Sequence, residues 1–271
     1  MSKAPAIVTW LCVSITFSVL VFLLGFILVK GLPYVKPSLF ALKYNSDNVS
    51  LVPALFNTVY MVLIALLISV PPGVFSAIYL AEYAPRGNRF VKLIRVTAET
   101  LSGIPSIIYG LFGTLFFVIW LGWGYSLLAG GFTLAIMILP LIMRTTEESI
   151  KAIPDMYREG SFGLGAGKLR TVFRVILPAC APGILAGIIL SVGRIVGETA
   201  ALIYTAGTFA QTVVNPMGSG RTLAIHMYAL SGEGLYIGQA YATAVVLLVV
   251  VVGINALSSL VAKRISRNIP Q

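Results

Sequence analysis

Arg194 and Glu198 lie in the segment GRIVGETAAL, Gly193 to Leu202, and are the two ionisable residues set deepest in apolar surroundings. An arginine at the centre of a membrane helix costs about 2.5–3.5 kcal/mol on insertion scales, so it faces the interior of a helix bundle and takes a partner there. Glu198 is four residues on, one helical turn away and on the same side. At about 100° per residue, Gly183, Gly187, Arg194 and Glu198 fall within an arc of roughly 60°, with Ser191 just beyond it. Two chemistries fit such a small, polar helix face. In one, Arg194 and Glu198 form a structural ion pair and the glycines let helices pack closely. In the other the stripe lines a pathway. Glu198 then fixes the guanidinium and leaves part of its five-donor fork free for an oxyanion. The partial neutralisation allows the anion to leave again.

The second chemistry-bearing stretch runs from Arg144 to Pro178 and holds Arg144, Glu147, Glu148, Lys151, Asp155, Arg158, Glu159, Lys168, Arg170 and Arg174. Pro154 and Asp155 suit the first turn of a short helix, where a missing N–H is tolerated and negative charge meets the positive dipole end. That helix runs through MYREGSF and stops among Gly163, Gly165 and Gly167. Such a knob, carrying Met156, Tyr157 and Phe162, suits a groove on a soluble partner; a solvated connector is the plainer alternative. GAGKL is not a nucleotide loop, since Phe162 stands where the phosphate-cradling pattern needs Gly and Leu169 where it needs Ser or Thr. Cys12, Cys180 and the lone His226 make no metal or redox pattern.

The elements around these residues are built for lipid. Of 271 residues 58% are hydrophobic and 10% charged, against about a quarter charged in a soluble domain. The net charge of +10 does not signal nucleic acid, because the basic residues cluster between apolar spans and at the C-terminus. Apolar runs predict six transmembrane helices, at roughly 4–29, 51–81, 101–121, 129–143, 176–204 and 235–262, in one all-α polytopic domain covering 1–271, with 144–178 as its long loop. The first is read as a retained span rather than a cleaved signal. Pro71 and Pro72 are expected to kink the second helix or end it early. The stretch EYAPRGNRFVKLIR reads as a short basic loop. Counting Lys and Arg puts 14 on the side of both termini and of the 144–178 loop, including Lys3, Arg86, Lys263, Arg264 and Arg267, against 4 on the other; that side is cytoplasmic. Arg221 and Glu233, in the outer loop 205–234, are expected on a solvated face.

Glu159-Gly160-Ser161, then Gly165-Ala166, then Val175-Ile176-Leu177-Pro178 resembles the EAA loop of ABC-importer permeases, with Gly160-Ser161 in place of Ala-Ala. The segment GRIVGETAAL is similar to the G-R-x-x-G-E-T segment of the phosphate-specific members of that family. The resemblance implies a type I ABC-importer permease architecture. It implies that Tyr157 through Gly167 is a coupling helix docking on an ATPase, with Tyr157, Glu159, Gly160, Ser161, Gly165 and Ala166 at the contact. It also implies a phosphate pathway through Arg194, Glu198 and Thr199, with Arg144 closing helix four at its mouth. The implied partners are a homologous second permease subunit, two ATPase copies that use ATP and Mg, and a phosphate-binding protein outside a bacterial or archaeal cytoplasmic membrane. No cofactor is expected in this chain. The short N-terminal region favours the A-type subunit over the C-type. Permeation of another oxyanion, or a self-sufficient secondary transporter, are the competing expectations.

Overall fold

A computed structural model describes residues 4–85 and 87–267. Lys3 and Arg86, counted above, lie outside the described residues, as do the side chains of Lys263, Arg264 and Arg267. Among the described residues every regular element is helical.

Helix α1, Ala4–Gly31, is apolar all round and exposed along nearly its whole length, with Trp10 72% and Phe17 66% exposed. A face of that kind is stable only in hydrocarbon. Two proline-opened 3-10 turns, Leu32–Tyr34 and Pro37–Phe40, lead to α2. Helix α2, Val52–Ile78, is not ended by Pro71 and Pro72, both exposed on its surface, and runs on through a π turn at Tyr79–Tyr83. In a membrane helix the freed carbonyls are re-satisfied locally, so the diproline is tolerated.

The expected basic loop is largely a helix. Helix α3, Arg89–Ser102, is capped by Asn88, whose Oδ1 accepts the Phe90 N–H at 2.8 Å. Its inner side places Val91, Ile94 and Ala98 against Ala77, Leu80 and Met143. A break at Gly103–Pro105 then turns the chain by 101° into α4, Ser106–Gly113, prolonged by a π turn at Thr114–Trp120. Among the described residues five helices are long and apolar enough to span a membrane, and the number reaches six where the bent α3/α4 pair counts as one broken span rather than a re-entrant loop.

Helix α5, Leu127–Lys151, overruns its predicted end at 143 by two turns. Thr146, Glu147 and Ile150 are buried in those turns, and Arg144–Glu148 and Glu147–Lys151 pair at i,i+4 along them. The knob is α6, Met156–Gly163, followed by α7, Lys168–Thr171, and a π turn at Val172–Ile176. That turn leads directly into α8, Leu177–Gly197, so the fifth span starts at Lys168 rather than 176. It also ends early. Glu198 is extended, and a separate turn, α9, Ala200–Ile203, follows. Helix α10, Leu223–Glu233, and the long α11, Ile237–Arg267, complete the chain.

The core lies between α2, α5 and α8, where Met61, Leu134, Ile138 and Ile142 meet Ile195 and Leu202. Gly130 and Gly131 bring α5 close, since a Cβ at either would strike Met61 or Ile64. Contact of this closeness replaces the hydrophobic drive that is missing between helices in lipid. Helix α1 leans on α11 from outside, through Phe26 edge-on to Tyr241 at 5.9 Å.

Candidate functional site

Arg194 stands in the last turn of α8, not in mid-helix. The carbonyl-rich end of a helix favours a cation there. The expected pair with Glu198 is not formed. Helix α8 stops at Gly197, so the two residues no longer share a helical face, and among the described residues no ion pair or hydrogen bond joins them. Glu198, only 9% exposed, instead accepts the Ala201 N–H on Oε1 at 3.1 Å and so caps the start of α9. Arg194 is part-exposed and lies within electrostatic reach of Tyr109. Tyr109 itself is buried and donates its hydroxyl to the Leu101 carbonyl at 2.8 Å, beside the α3/α4 bend.

The small residues of the same stripe have another use. A Cβ at Gly183 would collide with Ser149, and one at Gly187 with Thr145, so both glycines are pressed against α5. Ser191 is fully buried and donates to the Gly187 carbonyl at 2.9 Å. The packing alternative therefore holds for the glycines, while Arg194 makes no ion pair among the described residues.

The chain after the break is held by α4. A Cβ at Gly110 would come within 2.8 Å of the Ala201 Cα, and Thr114 donates to the Tyr204 carbonyl at 2.7 Å. Thr199 lines a largely apolar cavity of about 660 Å³ with Ile107, Tyr204, Tyr228 and Tyr241. Arg144 lines a separate charged pocket of about 180 Å³ between α3 and α5, shared with Arg95, Glu99 and Glu147. It does not close its helix, lying two turns before the end, and it pairs with Glu148 at 2.8 Å. Arg144 and Thr199 thus line different cavities.

The knob is exposed where a partner would meet it. Met156 is 70% and Leu164 91% exposed, with Tyr157, Glu159 and Phe162 also exposed. A Cβ at Gly160 or Gly165 would meet nothing, so the space beside them is open. Gly165 takes φ +80°, the left-handed conformation that ends α6, and its N–H returns to the Phe162 carbonyl at 2.9 Å, with Ala166 N–H to the Ser161 carbonyl at 3.1 Å. Ser161 points inward, its hydroxyl 2.8 Å from that of buried Thr171.

Sequence reasoning missed what fastens the knob. Arg158 directs Nε and Nη2 to Glu82 Oε1 at 3.0 and 2.7 Å, Nη1 to Asp155 at 3.2 Å, and reaches the Ile150 and Ile153 carbonyls. Both ends of the Arg158–Glu82 pair are mostly buried, at 17% and 8% exposure. Opposite charges flanking two apolar spans were the available signal. It also missed Asn57, the amide inside the second apolar run, which clamps the far loop. Its Nδ2 donates to the Gln211 and Arg221 carbonyls at 2.8 and 3.1 Å, and its Oδ1 accepts the Val213 N–H at 3.0 Å. Arg221 is 5% exposed rather than solvated, whereas Glu233 is exposed.

A bundle of helices long and apolar enough to span a membrane, with a short exposed helix projecting at one end, defines an all-α polytopic membrane protein. Residues 69–267 match the family described as binding-protein-dependent transport system inner membrane component. A probable ABC transporter permease protein, YqgI of Bacillus subtilis, is 35% identical over 83% of this chain and 81% of its own length. The phosphate transport system permease protein PstA of Haemophilus influenzae is 31% identical over 93% of this chain and 86% of its own. Among solved structures, the inward-facing MetNI methionine ABC transporter superposes with TM-score 0.63 at 21% identity, covering 82% of this chain and 96% of that one. A bacterial ABC transporter importing alginate gives 0.70 at 15% identity over 97% of both. The chain belongs to the binding-protein-dependent transport system inner membrane component family.

Proposed function

We propose that this chain is the membrane permease subunit of an ATP-driven importer of inorganic phosphate. The observation that carries the reading is Arg194, part-exposed in the last turn of α8, with its guanidinium not consumed by Glu198. A planar fork of N–H donors at a helix break suits a tetrahedral oxyanion, and it can release the anion because the charge is not enclosed. The named phosphate permeases among the relatives, such as that of Haemophilus influenzae, support the same substrate.

In this reading α6 seats in a groove on an ATPase subunit, with Tyr157, Glu159, Gly160, Gly165 and Ala166 at the contact and Ser161 fixing the knob to Thr171. Each of two such permeases, this one A-type and its partner C-type, takes one ATPase copy. ATP and Mg bind there, since this chain carries no phosphate-cradling glycine loop. Closure of the ATPases moves α6, and Arg158 passes that movement to α2 through Glu82. The pathway then opens alternately toward the binding protein and toward the cytoplasm, the side of both termini and of α6.

The test is phosphate uptake by vesicles carrying the assembled complex. Arg194→Gln is expected to lower uptake by at least about tenfold, the order of one lost charge-assisted contact, while the complex still co-purifies. Undiminished uptake would remove Arg194 from the pathway.

A further inference from the structure

The far end of the molecule, opposite α6, holds a cation that the transport reading does not use. Arg221 precedes α10, and its Nε and Nη2 are buried without a hydrogen-bond partner. No ion pair among the described residues involves it. Its only compensation of charge is the Tyr44 ring, with the guanidinium carbon 4.8 Å from the centroid. Thr222 is the N-cap of α10, yet its hydroxyl makes no cap bond and is buried and unpartnered. His226, in the first turns of the same helix, is fully buried, its ring nitrogens make no hydrogen bond of good geometry, and the polar group beside the ring is the Val49 backbone.

Buried polar groups are almost always satisfied, and a buried guanidinium without a counter-charge is more costly than any neutral orphan. Here a buried unpaired guanidinium, an unpartnered hydroxyl and a buried imidazole fall within six residues at a helix N-terminus, the end of a helix that attracts anions. The charged group acting on His226 is Arg221, and among the described residues no carboxylate pairs with either. Burial and that positive neighbour push the imidazole down to about 3, and the ring is neutral, with one N–H to donate. A water would satisfy single hydrogen bonds but would leave the charge uncompensated.

We infer that Arg221, Thr222 and His226 form a binding site for a small inorganic anion, a halide or an oxyanion, covered by the Tyr44 ring. Tyr44 also lines an open cavity of about 540 Å³ with Lys43, Gln211 and Thr212. Bound there, the anion ties the loop before α2 to the start of α10, because Tyr44 belongs to the first and Arg221 to the second. Asn57 holds the Arg221 backbone in place through its carbonyl, so the guanidinium is presented rather than free to leave.

Thermal unfolding of the full chain in lipid nanodiscs tests this, with sodium chloride or sodium phosphate compared with sodium gluconate at constant ionic strength. The wild-type midpoint is expected to rise by several degrees with either small anion, and Arg221→Gln is expected to lose the chloride dependence. A wild type indifferent to chloride and phosphate overturns the site, as does a chloride shift retained in Arg221→Gln. Bromide-soaked crystals of the wild-type chain give a reading that needs no variant. An anomalous peak against the Arg221 guanidinium supports the site, and its absence at saturating bromide overturns it. Neither outcome bears on phosphate uptake through Arg194, which is measured separately.

Discussion

At the knob end, Arg158 makes five hydrogen bonds, two of them to the Glu82 carboxylate at the close of α2. At the far end, Asn57 near the start of the same helix makes three, all to backbone groups of the loop 205–222. One helix therefore carries both fastenings, but their chemistry differs. A mostly buried ion pair is strongly directional and leaves an uncompensated charge when either half is lost. A neutral amide clamp satisfies backbone groups and holds a loop in shape without electrostatic reach. Ionic fastening suits an element that must transmit displacement to a distant helix, and amide fastening suits one that needs only to keep its form.

The contrast breaks most visibly at Arg158. Replacing it with alanine strands the Glu82 carboxylate and is expected to cost about 3–5 kcal/mol, read as a lower unfolding midpoint and as faster hydrogen exchange over 156–163. Unchanged exchange in α6 would mean that something else holds the knob. Asn57→Ala should cost less, about 1–3 kcal/mol for the orphaned backbone groups, with faster exchange confined to 205–222. If α6 loosened as well, the two fastenings would not be independent. The smallest effect belongs to Arg144→Ala. Its partner Glu148 is as exposed as Arg144 itself, at 62% and 59%, so the unfolding midpoint should not move. Phosphate uptake in that variant then reports on Arg144 in transport alone, and a clear drop in midpoint would make the pair a third fastening.

Long uncharged runs were legible because lipid demands them, and α1, α2 and α11 follow from composition alone. The charged borders were not. Residues 89–95 and 144–151 read as loop by polarity, yet an amphipathic surface in one case and the burial of Thr146, Glu147 and Ile150 in the other keep them helical. Arg194 was legible as a cation within an apolar run, but its pairing with Glu198 assumed an unbroken helix, and the break after Gly197 removes that geometry. Periodicity placed Gly183 and Gly187 on one face without telling which neighbour the face meets; Thr145 and Ser149 decide it. Burial of Arg221 and His226 depends on Tyr44 returning from far upstream, a contact no local pattern encodes.

Helix α5 is a single rod of 25 residues, about 37 Å at 1.5 Å per residue. Its first N–H groups are bonded to the far loop, Leu127 to Gly218 at 3.0 Å and Leu128 to Pro216 at 2.8 Å, and its last turns hold Arg95 of α3 through Glu147 at 2.7 Å. Pro140 leaves one gap in its ladder of hydrogen bonds, but a rod bonded at both ends tilts or slides far more easily than it shortens. A displacement imposed beside the knob therefore reaches the far loop through α5 itself, because both ends of the rod are bonded to their surroundings.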